Sequence, residues 1–202
     1  MLAGSHARFR LTGPIFARAV GAGAALGVAA RLVDEIAPRW TGNLGATWFV
    51  AAFLAGGLES RPRLGARAGA LCLSVATVAY YALRLAIDPI ALRQVVPIPL
   101  VWLAAGVVTG LAGGAMGARA KEQPAWWGAP AGVFLGEAIA VVLLRGRVAQ
   151  AVAEAACAAG CVRLMKGAWK RGLILAAATT PATAAFALYY RLVLYWGRGS
   201  LG

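Results

Sequence analysis

Apolar residues in this chain fall in long blocks separated by short basic clusters, rather than in the periodic stripes that mark a soluble amphipathic helix. Residues 40–58, 94–118 and 172–190 carry no charge at all. As helices rising 1.5 Å per residue, each is long enough to cross ~30 Å of hydrocarbon. Two more blocks come close. Residues 68–83 are uncharged and can extend past Arg84 to Leu85 and Ile87, and residues 125–144 are interrupted only by Glu137. A first block, 14–33, is carried by Ala19 to Ala30, with arginines near both ends whose long side chains can snorkel to the headgroups. The Ala-rich stretch 148–164, with Gln150 and Glu154, has low hydrophobicity per residue for a lipid-facing helix. The pattern predicts an all-α, polytopic transmembrane helix bundle forming a single domain over residues 1–202. Its spans lie at about 14–33, 42–58, 68–87, 97–116, 125–144, 148–164 and 172–190, seven in all, or six if 148–164 lies in the interface.

Composition excludes a soluble alternative. With 61% apolar residues, 13% charged and a mean hydropathy of +0.72, the chain cannot cover its own surface with polar groups. The net charge of +13 does not make a nucleic-acid footprint, since the basic residues punctuate apolar segments instead of gathering on one face. That placement suits cytoplasmic loops and anionic lipid headgroups, so the expected partner is the bilayer, with anionic lipids at the basic loops. With seven spans, 12 of the 20 basic residues fall on the side of the N-terminus, so the expectation is a multi-pass plasma-membrane protein of a bacterium with that end in the cytoplasm. Arg8, Arg10 and Arg18 before an Ala/Gly/Val run imitate a signal peptide, yet the apolar blocks that follow argue for a retained first span. Trp40, Trp126, Trp127, Trp169 and Trp196 sit at block ends, as aromatic-belt residues do.

Catalytic signatures are missing: no GxxxxGK[ST], no HExxH and no GxSxG occurs, so an enzyme is not expected, nor a cofactor. Cys72, Cys157 and Cys161 all lie in apolar blocks without neighbouring histidines, which suits packing better than a metal site. Glycines recur four apart at Gly23/Gly27, Gly65/Gly69, Gly106/Gly110/Gly114 and Gly128/Gly132/Gly136, the spacing that lets helices approach closely.

The chemistry-bearing candidates are Glu137 and Glu154, two carboxylates inside membrane segments, where such groups are expensive to keep. They are equally spaced from the Arg145-Gly146-Arg147 connection, hence at one depth, roughly 13 Å below it. Two carboxylates in one site can share a proton or hold a cation. The plainer reading is that each is protonated or pairs separately with an arginine such as Arg18, Arg84 or Arg191. Tyr80, Tyr81 and Trp48 can line a small cavity with those acids, or simply pack.

The segment Thr41-Gly42-Asn43-Leu44-Gly45-Ala46-Thr47 is similar to the Gly-Asn-x-Gly-Ala-Thr loop of bacterial membrane acyl-phosphate glycerol-3-phosphate acyltransferases. That family's lysine-containing phosphate loop and later histidine motifs are absent, and the sole histidine is His6, so the stretch reads as a helix entry capped by Thr41 or Asn43. Asn43 through Trp48 leading into Phe53-Leu54-Ala55-Gly56, the Tyr80-Tyr81 pair, Gly136-Glu137-Ala138 and Ala153-Glu154 together resemble a domain-of-unknown-function family of small multi-spanning proteins from high-GC bacteria. The resemblance covers most of the chain and implies a membrane protein without an established activity. The functional expectation is a small-solute or ion transport-type protein using the carboxylate pair, with a proton, cation or small solute as ligand. The alternative is a non-catalytic scaffold or partner subunit of a larger membrane-protein complex, for which the glycine faces would serve.

Overall fold

The computed structural model describes residues 13–36, 45–87 and 97–199. Seven α-helices and one 3-10 turn account for nearly all of them, and no strand occurs among the described residues. The helices are α1 (Gly13–Ile36), α2 (Gly45–Gly57), α3 (Pro62–Ile87), α4 (Pro97–Ala120), α5 (Gly128–Arg145), α6 (Val148–Leu164) and α7 (Trp169–Gly199), with the 3-10 turn at Pro124–Trp127 leading into α5. The all-α expectation holds, and each of the seven expected segments contains a helix.

Five segments are long and apolar enough to cross a membrane: Gly13–Glu35, Pro62–Ile87, Pro99–Ala120, Pro124–Arg145 and Trp169–Tyr189. They mark the chain as a membrane protein. The other two helices are short. α2 has 13 residues and α6 has 17, so at 1.5 Å per residue they reach about 20 Å and about 26 Å against ~30 Å of hydrocarbon.

The interior is built from small residues and the exterior from large apolar ones. Ala19, Ala46, Ala52, Ala68, Ala76, Ala129 and Ala131 are fully buried, whereas Leu54, Val78, Leu100, Val108, Leu143 and Ile174 are exposed. Water would drive those outer side chains inward; lipid has no such preference, and close backbone approach decides the packing instead. α3 lies between α1 and α4, with α2 seated on both α3 and α4, while α5 packs on α6 and α7. The two groups meet where α2 touches α5 and where the 3-10 turn touches α4 and α7.

Every glycine series read from the sequence is used within the chain. Gly23 and Gly27 abut the carbonyls of Cys72 and Ala76 on α3, Gly65 and Gly69 abut Gly114 and Gly110 on α4, and Gly117 abuts the Phe53 carbonyl of α2. On the other side, Gly128, Gly132 and Gly136 lie against Gly172, Ala176 and Thr180 of α7. The Thr179 hydroxyl adds a bond to the Ala129 carbonyl across the same seam, at 3.3 Å.

Gly117→Ala would drive its new methyl into the Phe53 carbonyl, whereas Gly21→Ala meets nothing within 4 Å. We expect Gly117→Ala to cost about 1–3 kcal/mol through overpacking. Gly21→Ala should leave stability level or raise it by up to about 1 kcal/mol through helix propensity. Thermal unfolding in detergent followed by circular dichroism checks the order; equal midpoints for the two variants would contradict this packing.

Candidate functional site

α2 runs antiparallel to the segment formed by the 3-10 turn and α5. Near its C-terminal end, Phe53 packs against Trp127 with ring centroids 4.9 Å apart and planes tilted by 58°, and at its other end Gly45 and Ala46 meet Glu137. Glu137 lies eight residues before Arg145, about 12 Å along the helix from that end. The first turn of α2 therefore stands well inside the layer that α5 crosses.

A helix start in hydrocarbon exposes backbone amides that no water can satisfy, each costing several kcal/mol. Here one side chain from another helix supplies the acceptors. The Gly45 amide donates to Glu137 Oε1 at 2.7 Å, and the Ala46 amide donates to Oε2. Glu137 is only 9% exposed, and its carboxylate sits at the positive end of the α2 dipole, where an anion is favoured. The sequence suggested Thr41 or Asn43 as the cap of this helix. Both lie outside the described residues, as does Asn43 in its role as a candidate ligand.

Glu154 comes from the narrow buried face of α6, which also carries Gln150, Ala151, Ala158 and Cys161. Gln150 Nε2 donates to Glu154 Oε1 at 2.8 Å, an i−4 pairing within one helix. Glu154 is 3% exposed and Gln150 4%, and both keep one oxygen, Glu154 Oε2 and Gln150 Oε1, without a hydrogen-bond donor. Glu137 is within electrostatic range of Glu154. The two carboxylates thus share a neighbourhood but bond to different partners, Glu137 to the start of α2 and Glu154 to Gln150. Neither takes an arginine among the described residues, where the ion pair is Arg31–Glu35 within α1.

Tyr80, Tyr81 and Trp48 gather on another side of α2. Trp48 meets Tyr80 edge-on at 6.4 Å between centroids, and Tyr80 meets Tyr81 at 5.1 Å. The Tyr80 hydroxyl donates to Asp34 Oδ2 of α1 at 2.5 Å. Asp34 and Gln150 were not among the sequence candidates. Gln150 was legible, being a polar residue at i−4 from an embedded acid; Asp34, near a span end, gave no sign that it would meet Tyr80.

No group of three or more histidine, cysteine or acidic side chains suited to a metal occurs among the described residues. Cys72 and Cys161 are buried and Cys157 is exposed, and all three thiols are free.

The chain matches DUF6518, described as a family of unknown function, over residues 8–195. It belongs to that family. No curated protein and no solved structure matches it. Within the DUF6518 chain, the arrangement of a capped short helix beside a buried Glu-Gln pair therefore has to be read from its own chemistry.

Replacing Glu137 with Ala removes both acceptors from the start of α2, at a cost of roughly 1–3 kcal/mol for each amide left unsatisfied. We expect faster amide hydrogen exchange confined to the first turns of α2 and a lower unfolding midpoint, with Glu137→Gln intermediate because one oxygen remains. Unchanged exchange at Gly45 and Ala46 in Glu137→Ala would remove Glu137 from the capping role.

Proposed function

We propose that this DUF6518 protein is a transport-type membrane protein that moves a proton or small cation, alone or with a small solute, through the neighbourhood of Glu154, Gln150 and Glu137. The observation that carries the reading is the pair of acceptor oxygens, Glu154 Oε2 and Gln150 Oε1, buried without a donor, with the Glu137 carboxylate within electrostatic range. A carboxylate kept in that setting needs a proton, a water or a cation to offset its burial. Intramembrane acids retained at such cost are characteristic of proton relays and ion pathways.

The roles divide by bonding. Glu137 holds the start of α2 through both oxygens, so it sets the geometry, while Glu154 has a free oxygen with which to load and release the ion. Trp48, Tyr80 and Tyr81, near the same helix start, are second-rank candidates for contacting a solute. The 12 basic residues on one side favour a cytoplasmic N-terminus in a cell membrane. The scaffold alternative drew on the glycine faces, and these are occupied within the chain.

Purified protein in proteoliposomes, tested under imposed proton, sodium and potassium gradients with an internal fluorescent reporter, should show a flux above empty vesicles. Glu154→Gln should lower it by roughly tenfold or more, in line with loss of a group on the ion path, while the protein stays monodisperse. Glu154→Asp should retain part of it. Equal flux in wild type and Glu154→Gln, or none in wild type under any of the three gradients, would refute the proposal.

A further inference from the structure

A second cluster of charge lies at the opposite end of α2, away from the carboxylates. Gly56 packs against Gly114 and Gly57 lies near Gly117, which brings the α2–α3 turn beside the end of α4. There Arg61, Pro62, Arg63, Leu64 and Arg119 line an open cavity of about 330 Å³. Side chains of three arginines thus border one space together with Pro62 and Leu64, their aliphatic stems supplying most of its wall.

None of the three forms an ion pair among the described residues, and the first turn of α3 has no acidic residue. Glu59 and Glu122, the acids nearest in sequence, do not line the cavity, and Glu59 is buried. Arg119 is also held in place. Its guanidinium lies 5.2 Å from the Trp126 ring, and Trp126 Nε1 donates to Gln123 Oε1 at 3.2 Å. A cation stacked on a ring that is itself hydrogen-bonded loses little freedom when it binds an anion.

The level of this cavity identifies the anion. It sits at the start of α3 and the end of α4, both long and apolar enough to cross a membrane, and hence where those helices leave the hydrocarbon. Guanidinium groups bind phosphate oxygens through paired N–H donors, and anionic headgroups attract basic residues at this depth. We propose that Arg61, Arg63 and Arg119 form a binding site for the phosphate of an anionic glycerophospholipid, with Pro62 and Leu64 against its glycerol and upper acyl carbons. The site is independent of the carboxylates and of any transport role.

Native mass spectrometry of the purified protein, titrated in detergent with phosphatidylglycerol, phosphatidylcholine or inorganic phosphate, tests this. We expect phosphatidylglycerol to bind roughly tenfold more tightly than phosphatidylcholine, with inorganic phosphate unable to displace it at comparable concentration. The triple variant R61Q/R63Q/R119Q should lose that preference, and R61K/R63K/R119K should keep only part of it, since lysine supplies charge without the paired donors. Arg63→Gln alone should weaken binding several-fold should the triple variants fail to fold. As a control, R84Q/R145Q removes two basic residues elsewhere and should leave the preference intact. An undiminished preference in the glutamine variants, an equal loss in the control, or equal competition by inorganic phosphate would each overturn the lipid site.

Discussion

Hydrocarbon offers no hydrogen bonds, and the helices of this protein are arranged around that constraint. For the long helices the constraint is met internally, since their backbone groups bond along the helix and their ends reach the polar zones. α2 cannot meet it that way, because its described start lies beside the middle of another helix. A carboxylate from α5 closes the gap, binding the Gly45 and Ala46 amides together. The acid is costly to bury and the bare amides are costly to leave, and bringing them together offsets both. The placement of α2 between the two helix groups follows from that contact and from the Phe53–Trp127 packing at its other end.

Side-chain size carries the rest of the packing. Because lipid does not push leucine and valine inward, association depends on how closely backbones approach, and the glycine series set that distance. Their use inside the chain accounts for the glycines of the four series. It also orients α5. With Gly128, Gly132 and Gly136 turned toward α7, Glu137 is rotated about 100° from Gly136 and so points elsewhere, toward α2.

Helix positions were readable from charge-free or nearly charge-free runs, while 148–164, holding Gln150 and Glu154, left open whether it crosses or lies in the interface. That Glu137 and Glu154 fall within helices was readable too. Their bonding was not. An apolar helix without a polar face gives little sign of its rotation, so a sequence cannot say which neighbour an embedded acid meets. A second carboxylate or an arginine was the expectation, yet the partner of Glu137 is main chain from a helix about 90 residues earlier. Gln150 was the exception, because its relation to Glu154 is local and follows from helical spacing alone.

The turn between α5 and α6 has a consequence for assembly in the cell. Gly146 adopts a left-handed φ of 62°, its amide donates to the Val142 carbonyl at 2.9 Å, and α6 begins at Val148. So tight a reversal makes the two helices a hairpin from the moment of synthesis. α6, only 17 residues long and bearing Gln150 and Glu154, can leave the translocation machinery together with α5, those two side chains already turned inward. A helix too short to span on its own, with an acid on its buried face, would then be carried into the lipid by its neighbour.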